Sequence, residues 1–531
     1  MLGRFLIGLT GVVFLVFAGG VVWFADRLNY GVDGQPGGDM VLLFVVATMV
    51  MSTLYIVACI AAHRDPPRVF FILFIGGLAR LVMIFGSPGP LLEGDHARLR
   101  YDARLINRGV NPYAYRPQEL LDGSAEDFLR SEEEKRRIAM VRAEMTASTD
   151  GPRPTDVARP DLRTTATPAA LTMGAAADRF KPQNTRGYVF FVLCADALAA
   201  FLLLLALRSL EFPLAWIIVY AWSPVLLIEG YGTLGVDPFV LPGLALLVLA
   251  LVSGRRMLAG IGAAAVVMLR PAFVILAPIL VRRAGVMATI LMLVVAASTF
   301  LPFVLAPDTN PAHMAQGTLH QWRHFEFNSL VENLVRGALG PLELSADYTL
   351  SVAGVEIVAP GQSLVPLVAK VLCLVLLLGI VTYLAIRVPD RVQARSLPGL
   401  TDLFVAVAAM LLLAPVLHPS MTIWLLPILA VRVFGIAWLA LPSLTMLGYL
   451  THLSGPGMAD YQLPGTPVSY RVLAFGIFGL LLIVDRFRGR QIFPSAAAWE
   501  EDLVWRVGAE EDLPIDVELA EFETSGVHAG V

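Results

Sequence analysis

Long apolar runs separated by short polar loops set the pattern of this chain. They fall at about 5–25, 40–62, 69–88, 187–207, 212–228, 238–253, 284–306, 364–386, 401–417, 421–432, 433–452 and 470–485. A helix of roughly 20 apolar residues crosses a hydrocarbon core of about 30 Å. Because the runs are continuous rather than alternating, they predict helices and exclude a transmembrane β-barrel. A further apolar stretch between Arg255-Arg256 and Arg282-Arg283 is interrupted at Arg270-Pro271, and each half is short for a span. It predicts a kinked pair or re-entrant hairpin with both ends on one side. The first run, from Phe5 to Val22, exceeds signal-peptide length and shows no clear small-x-small site before Asp26, so it predicts a retained first span.

Composition agrees with the pattern and adds one long polar segment. The chain is 57% hydrophobic and 15% charged, against about 25% charged in a soluble domain. Residues 92–186 hold 31 of the 82 charged residues. A net charge of -4 gives no indication of a nucleic-acid partner. Cys59, Cys194 and Cys373 lie in apolar runs without CxxC spacing, which indicates neither a disulfide framework nor a metal cluster.

Short arginine-rich loops face the cytoplasm. With Arg4 inside, the loops at Arg64 and Arg68, Arg208, Arg255-Arg256, Arg282-Arg283, Arg387 to Arg395 and Arg486 to Arg490 all fall on the cytoplasmic side. The 89–186 loop, Glu229 to Asp237, 307–362, His418 and 453–469 then share the extracytoplasmic side of a multi-pass inner (plasma) membrane protein. The organisation is therefore N-terminal spans over 1–88, an outer loop over 89–186, spans with the broken hairpin over 187–306, a second outer loop over 307–363, C-terminal spans over 364–485 and an acidic cytoplasmic tail over 486–531. Residues 131–145 predict a solvated or interfacial helix, 151–168 an irregular Pro/Thr-rich run, and 499–507 a short helix in the tail. No fixed-period repeat is visible.

Candidate chemistry gathers on the predicted outer side. In Leu92-Glu93-Gly94-Asp95-His96-Ala97-Arg98, the carboxylates of Glu93 and Asp95 follow the end of a span. Helical spacing puts Asp95, Arg98 and Asp102 on one face, with a carboxylate held by an arginine. A carboxylate there can act as general base toward a sugar hydroxyl or hold a divalent cation such as Mg or Mn. An acid that merely caps an interfacial helix and pairs with Arg98 satisfies the same spacing. Glu229 and Asp237 end and restart spans, as ordinary interfacial acids also do. Arg270, if at membrane depth, needs an anionic partner, either a lipid phosphate or a structural carboxylate. Trp322, Arg323 and His324 cluster with His320 and fit either a ligand site or an interfacial belt, and His418-Pro419 follows a span directly. Neither a P-loop nor a Rossmann glycine fingerprint is present.

The segment EGDHARLRYDARLINRGVNPYAYRP, residues 93–117, resembles the first extracytoplasmic loop of the GT-C superfamily of integral-membrane glycosyltransferases, of the bacterial polyprenol-phosphate-mannose-dependent mannosyltransferase type. Trp222-Ser223-Pro224 to Glu229 with Gly235-Val236-Asp237 resembles its W-N-P-L-x-x-x-E and H-x-D loop. Leu269-Arg270-Pro271 ahead of Pro278 resembles its K-x-x-P hairpin, Trp322 to Ser329 its W-x-F-N loop, and Leu417-His418-Pro419 with Trp424 and Pro427 its H-P-W-Y-x-x-W-x-x-P element. The likeness covers about residues 69–450. The chain departs from the pattern at Ser223, Gly235 and Ser420-Met421, and keeps only Pro168 of a Y-P-P element.

The resemblance implies an all-α integral membrane protein, a GT-C-like bundle of roughly 11–14 transmembrane helices with a long extracytoplasmic first catalytic loop. It implies inverting transfer of a hexose, mannose first, from a polyprenyl-phosphate-linked donor to an extracytoplasmic glycan or glycolipid acceptor. Asp95 would be the base, supported by Glu93. Arg270, Arg323, His324 and His418 would hold the donor phosphate, Trp322 would stack on sugar or lipid, and Arg98, Glu229 and Asp237 would line the substrate site. The rival readings are a lipid or sugar transporter or flippase using Glu229, Asp237 and Arg270, and a lapsed family member that only binds lipid or a partner protein.

Overall fold

A computed structural model describes residues 2–25, 27–28, 38–86, 91, 95–124, 132–147, 157, 160–181, 185–306, 310–353, 355–387, 398–453 and 469–492. Glu93, the side chains of Asp95 and His324, most of 151–159 and the tail beyond 492, including the helix expected at 499–507, lie outside the described residues.

Up to residue 209 the chain forms α1 (Leu2–Ala25), α2 (Gly38–Arg64), α3 (Val69–Gly86), α4 (Asp95–Asn107), α5 (Pro117–Asp122), α6 (Glu132–Ala147), α7 (Pro168–Phe180) and α8 (Thr185–Ser209). Among the described residues, α1, α2, α3, α8 and helix Val365–Ile386 are long and apolar enough to cross a membrane. Their outer faces expose Val16, Phe70, Phe74, Phe201 and Val375. Such faces are stable against lipid and not against water. The chain is an all-α membrane protein, and among the described residues it has one two-stranded antiparallel hairpin, β1 (Leu350–Val352) and β2 (Val355–Val358), in the second polar loop.

Several predicted spans differ from expectation in the same way. The 212–228 run is a bent pair, Leu214–Ala221 and Pro224–Gly232, at 54° to one another, which counts as a sixth span if taken as one. Pro224 has no N–H and restricts the residue before it, so the helix stops at Trp222 and restarts with Ser223 accepting from Leu226 N at 3.3 Å. The remaining runs give shorter apolar helices, Asp237–Val252, Arg256–Leu269, Val286–Ser298, Gly399–Leu413, Pro419–Val431 and Ile436–Leu450. Among the described residues five helices, or six with the bent pair taken as one, therefore have the length of a full span, because Pro and Gly break apolar sequence without lowering its hydropathy. The last helix, Tyr470–Ile492, runs past the expected end at 485.

The chain also breaks at Arg270, between helix Arg256–Leu269 and the turn Pro271–Leu276, as the Arg-Pro pair predicts. Close packing holds this region. A Cβ on Gly262 would lie 2.7 Å from Leu247 N, and one on Gly260 2.5 Å from Ala288 O, so glycine lets these helices touch. Trp222 locks the bent pair to the front of the bundle. It stacks on Phe14 at 6.2 Å and donates from Nε1 to Ile72 O at 2.9 Å.

Candidate functional site

Asp237 begins the turn that opens helix Asp237–Val252, and its carboxylate is buried. Oδ1 accepts from Arg270 Nε at 2.8 Å and from Trp424 Nε1 at 3.1 Å, while Oδ2 accepts from Ser420 Oγ at 2.5 Å. The break at Arg270 matters here. The extended backbone at that residue (φ -135°, ψ 87°) turns its side chain out of the helix before Pro271 resumes a tight turn. The Asp237 side chain is 2% exposed and that of Arg270 is 34% exposed, so a buried anion holds a cation that is still partly accessible.

His418 joins through Ser420. The Ser420 N–H donates to His418 Nδ1 at 3.2 Å, with Ser420 Oγ 2.9 Å from the same nitrogen. His418 caps the helix beginning at Pro419. Its ring lies between Phe327 at 5.4 Å and Tyr449 at 5.8 Å. Tyr449 OH in turn donates to Glu229 Oε1 at 2.8 Å, and Thr233 Oγ1 donates to the Glu229 carbonyl at 2.9 Å. Glu229 is fully buried in the wide turn Ile228–Gly232, where the helix loosens to five-residue hydrogen bonding.

The start of α4 is tied to the loop between these two acids. Leu91 N donates to Gly232 O at 3.0 Å, and His96 Nδ1 lies 3.1 Å from Leu234 O. Tyr188 packs edge-on against His96 at 5.0 Å and donates to Gly235 O at 2.9 Å. Burial, and secondarily Arg100, push the His96 pKa down to about 3 against the pull of the Leu234 carbonyl, so the ring is neutral. Arg98 donates to Asp102 Oδ2 at 2.9 Å and to Leu162 O at 2.8 Å. The carboxylate that Arg98 holds is thus Asp102, whose pKa burial raises against the opposing effects of Arg98 and Thr164.

The Trp322–His324 segment ends helix Pro311–His324. Arg323 donates from Nε to Ile357 O at 2.5 Å and from Nη2 to Gln362 at 3.5 Å, which engages it with the β-hairpin. The carbonyls of Trp322 and Arg323 accept from buried Lys370 Nζ at 3.0 and 2.9 Å. Beyond it, Phe327 N donates to Pro415 O at 3.2 Å and Leu417 N to Phe327 O at 2.7 Å, a backbone pairing that lays this loop directly beside His418.

The fold thus brings Glu229, Asp237, Arg270, His418 and the first turn of α4 together, with Trp322 and Arg323 linked to them through backbone. Tyr449 and Tyr188 escaped the sequence reading because each is an ordinary residue in an apolar run, and Ser420 figured there only as a departure from the family pattern. Arg80 and Asp196 escaped it too, although a charge inside an apolar run is a visible signal. Arg80 donates through Nε to Asp196 and from Nη1 to Ala221 O at 2.7 Å, at the break in the bent pair, and Tyr231 OH donates to Asp196 at 2.7 Å. Among the described residues no three His, Cys, Asp or Glu side chains gather as a metal site. Comparison with protein-family models, curated proteins and solved structures returns no match.

Proposed function

We propose that the chain is a GT-C-like, polyprenyl-phosphate-sugar-dependent hexosyltransferase. It moves a hexose, mannose by the resemblance, to an extracytoplasmic glycan or glycolipid. The observation that carries this reading is the convergence of residues from separate motifs, Glu229, Asp237, Arg270 and His418, beside the helix that Asp95 opens. In the proposed reaction the acceptor hydroxyl attacks the anomeric carbon, its proton passes to the Asp95 carboxylate, and the bond to the carrier phosphate breaks with inversion. The partly exposed Arg270 and the His418 ring face the departing phosphate in this reading, the guanidinium as a charge-assisted donor. Asp237 positions both.

The test is transfer of label from radiolabelled polyprenyl-phosphate-mannose in membranes containing the protein. Label should leave the carrier, and Asp95→Asn should lower turnover by roughly 100- to 10,000-fold. Near-normal turnover in that variant removes Asp95 as the base, and no transfer from any lipid-linked sugar by folded protein overturns the enzyme reading. The Arg80–Asp196 pair, buried within α3 and α8, favours one rival, a transporter or flippase. That rival predicts that lipid-linked sugar crosses vesicles intact, and that Asp196→Asn stops it.

A further inference from the structure

A second row on α4, led by His96, carries two cations that none of the hydrogen bonds above uses. His96, Arg100 and Arg104 follow at four-residue spacing and share one face of the helix, on the side away from Arg98 and Asp102. This face packs on α7. Arg104 Nε lies 3.5 Å from Asp178 Oδ1, and Asn107 Nδ2 donates to Asp178 Oδ2 at 3.1 Å and to Ala175 O at 3.0 Å. Among the described residues, Arg100 Nη2 and Arg104 Nη2 are both buried without a hydrogen-bond partner. Arg104 as a whole is 6% exposed, whereas Arg100 is only partly covered and leaves a way in.

Two guanidiniums thus share one carboxylate, and neutral His96 adds no charge. The excess positive charge is felt within the row, where burial and the neighbouring Arg104 push the Arg100 pKa down against Asp178. Buried donors without acceptors are costly, and an anion reaching both Nη2 groups would satisfy them and cancel the repulsion. The position of the row selects the kind of anion. Two residues beyond Asp178, Phe180 is 62% exposed and stacks at 5.2 Å on Phe190, which is 45% exposed near the start of the α8 span. Exposed apolar rings where a span begins are stable against lipid and not against water, which sets this end of α7 and α8 at the edge of the bilayer.

We propose that Arg100 and Arg104 form a phosphate site at headgroup level, occupied by the phosphate of a membrane lipid. The inference does not depend on glycosyl transfer. The test uses the full chain in an uncharged detergent, titrated separately with dioleoyl phosphatidic acid, dioleoylglycerol and inorganic phosphate while the unfolding midpoint is followed. Phosphatidic acid should raise the midpoint and dioleoylglycerol should not. Arg100→Gln and Arg104→Gln should each weaken the apparent affinity by about tenfold or more, as expected for loss of a charge-assisted hydrogen bond. Asp178→Asn keeps both arginines and removes the competing carboxylate, so it should bind phosphatidic acid more tightly. That variant carries the test if the glutamine variants fail to fold. A midpoint insensitive to phosphatidic acid, an unchanged response in the glutamine variants, or unchanged or weaker binding in Asp178→Asn overturns the site. Inorganic phosphate acting as strongly as phosphatidic acid overturns the lipid as its occupant.

Discussion

At the scale of single residues, Asp237 has the most to lose. It accepts from Arg270, Trp424 and Ser420 at once, so removing it strands a cation, an indole N–H and a hydroxyl together. Breaking a buried ion pair from one side costs about 3–5 kcal/mol, and the partial exposure of Arg270 brings the expectation for Asp237→Ala to about 2–3 kcal/mol. Adding Arg270→Met should recover part of the loss in a double-mutant cycle measured by unfolding in mixed micelles. A strictly additive cycle would remove the pair as a stabilising contact. His96 gives a second prediction, with a definite sign. Its folded pKa is about 3 and its ordinary value 6.5, so the unfolded chain takes up the proton first as pH falls. The contribution of the neutral ring is complete above about pH 6.5 and is lost progressively between there and about pH 3. Asp102, raised by burial, acts with the opposite sign. The informative comparison is therefore with His96→Gln, which keeps Asp102 and should lose less stability than the natural chain between pH 7 and pH 4.5.

At the scale of elements, breaks and close approaches position the site. Helix Arg256–Leu269 comes close enough to its neighbours for Arg270 to reach Asp237 because glycine stands at the contacts. Gly260→Ala would put a Cβ 2.5 Å from the Ala288 carbonyl oxygen, a backbone atom that cannot swing aside. The expected cost is about 1–3 kcal/mol by unfolding, with weakened donor binding if the helix moves. Much at this scale was legible in the sequence. The apolar runs located the helices, and Arg270-Pro271 located one break. The bend at Ser223-Pro224 was carried by a signal of equal kind, a proline in an apolar run, yet hydropathy masked it because the flanking residues stay apolar on both sides. The pairings were not legible. Trp424 lies 187 positions from Asp237 and Tyr449 lies 220 from Glu229, and local patterning carries no term for such contacts.

At the scale of the whole molecule, everything proposed for the site requires one compartment. Arginine placement predicts the 89–186 loop and the 307–362 segment outside and the turn after α8 inside. The structure joins the two outer segments physically: Arg163 Nη1 donates to Gln316 Oε1 at 2.7 Å, and Gly317 packs directly on the Thr164 backbone. Segments in such contact cannot lie on opposite sides of a bilayer, so their labelling must agree, while the direction of that agreement rests on the arginines alone. In a background with Cys59, Cys194 and Cys373 replaced by Ala, single cysteines at Ser124 and Ser345 should both react with an impermeant thiol reagent added to intact cells. A cysteine at Ser209, beside Arg208, should react only after the cells are opened. Reaction of Ser209→Cys alone would invert the topology and put the site where sugar nucleotides rather than polyprenyl carriers supply the hexose. Opposite labelling of Ser124→Cys and Ser345→Cys would contradict the packing itself and dismantle the site.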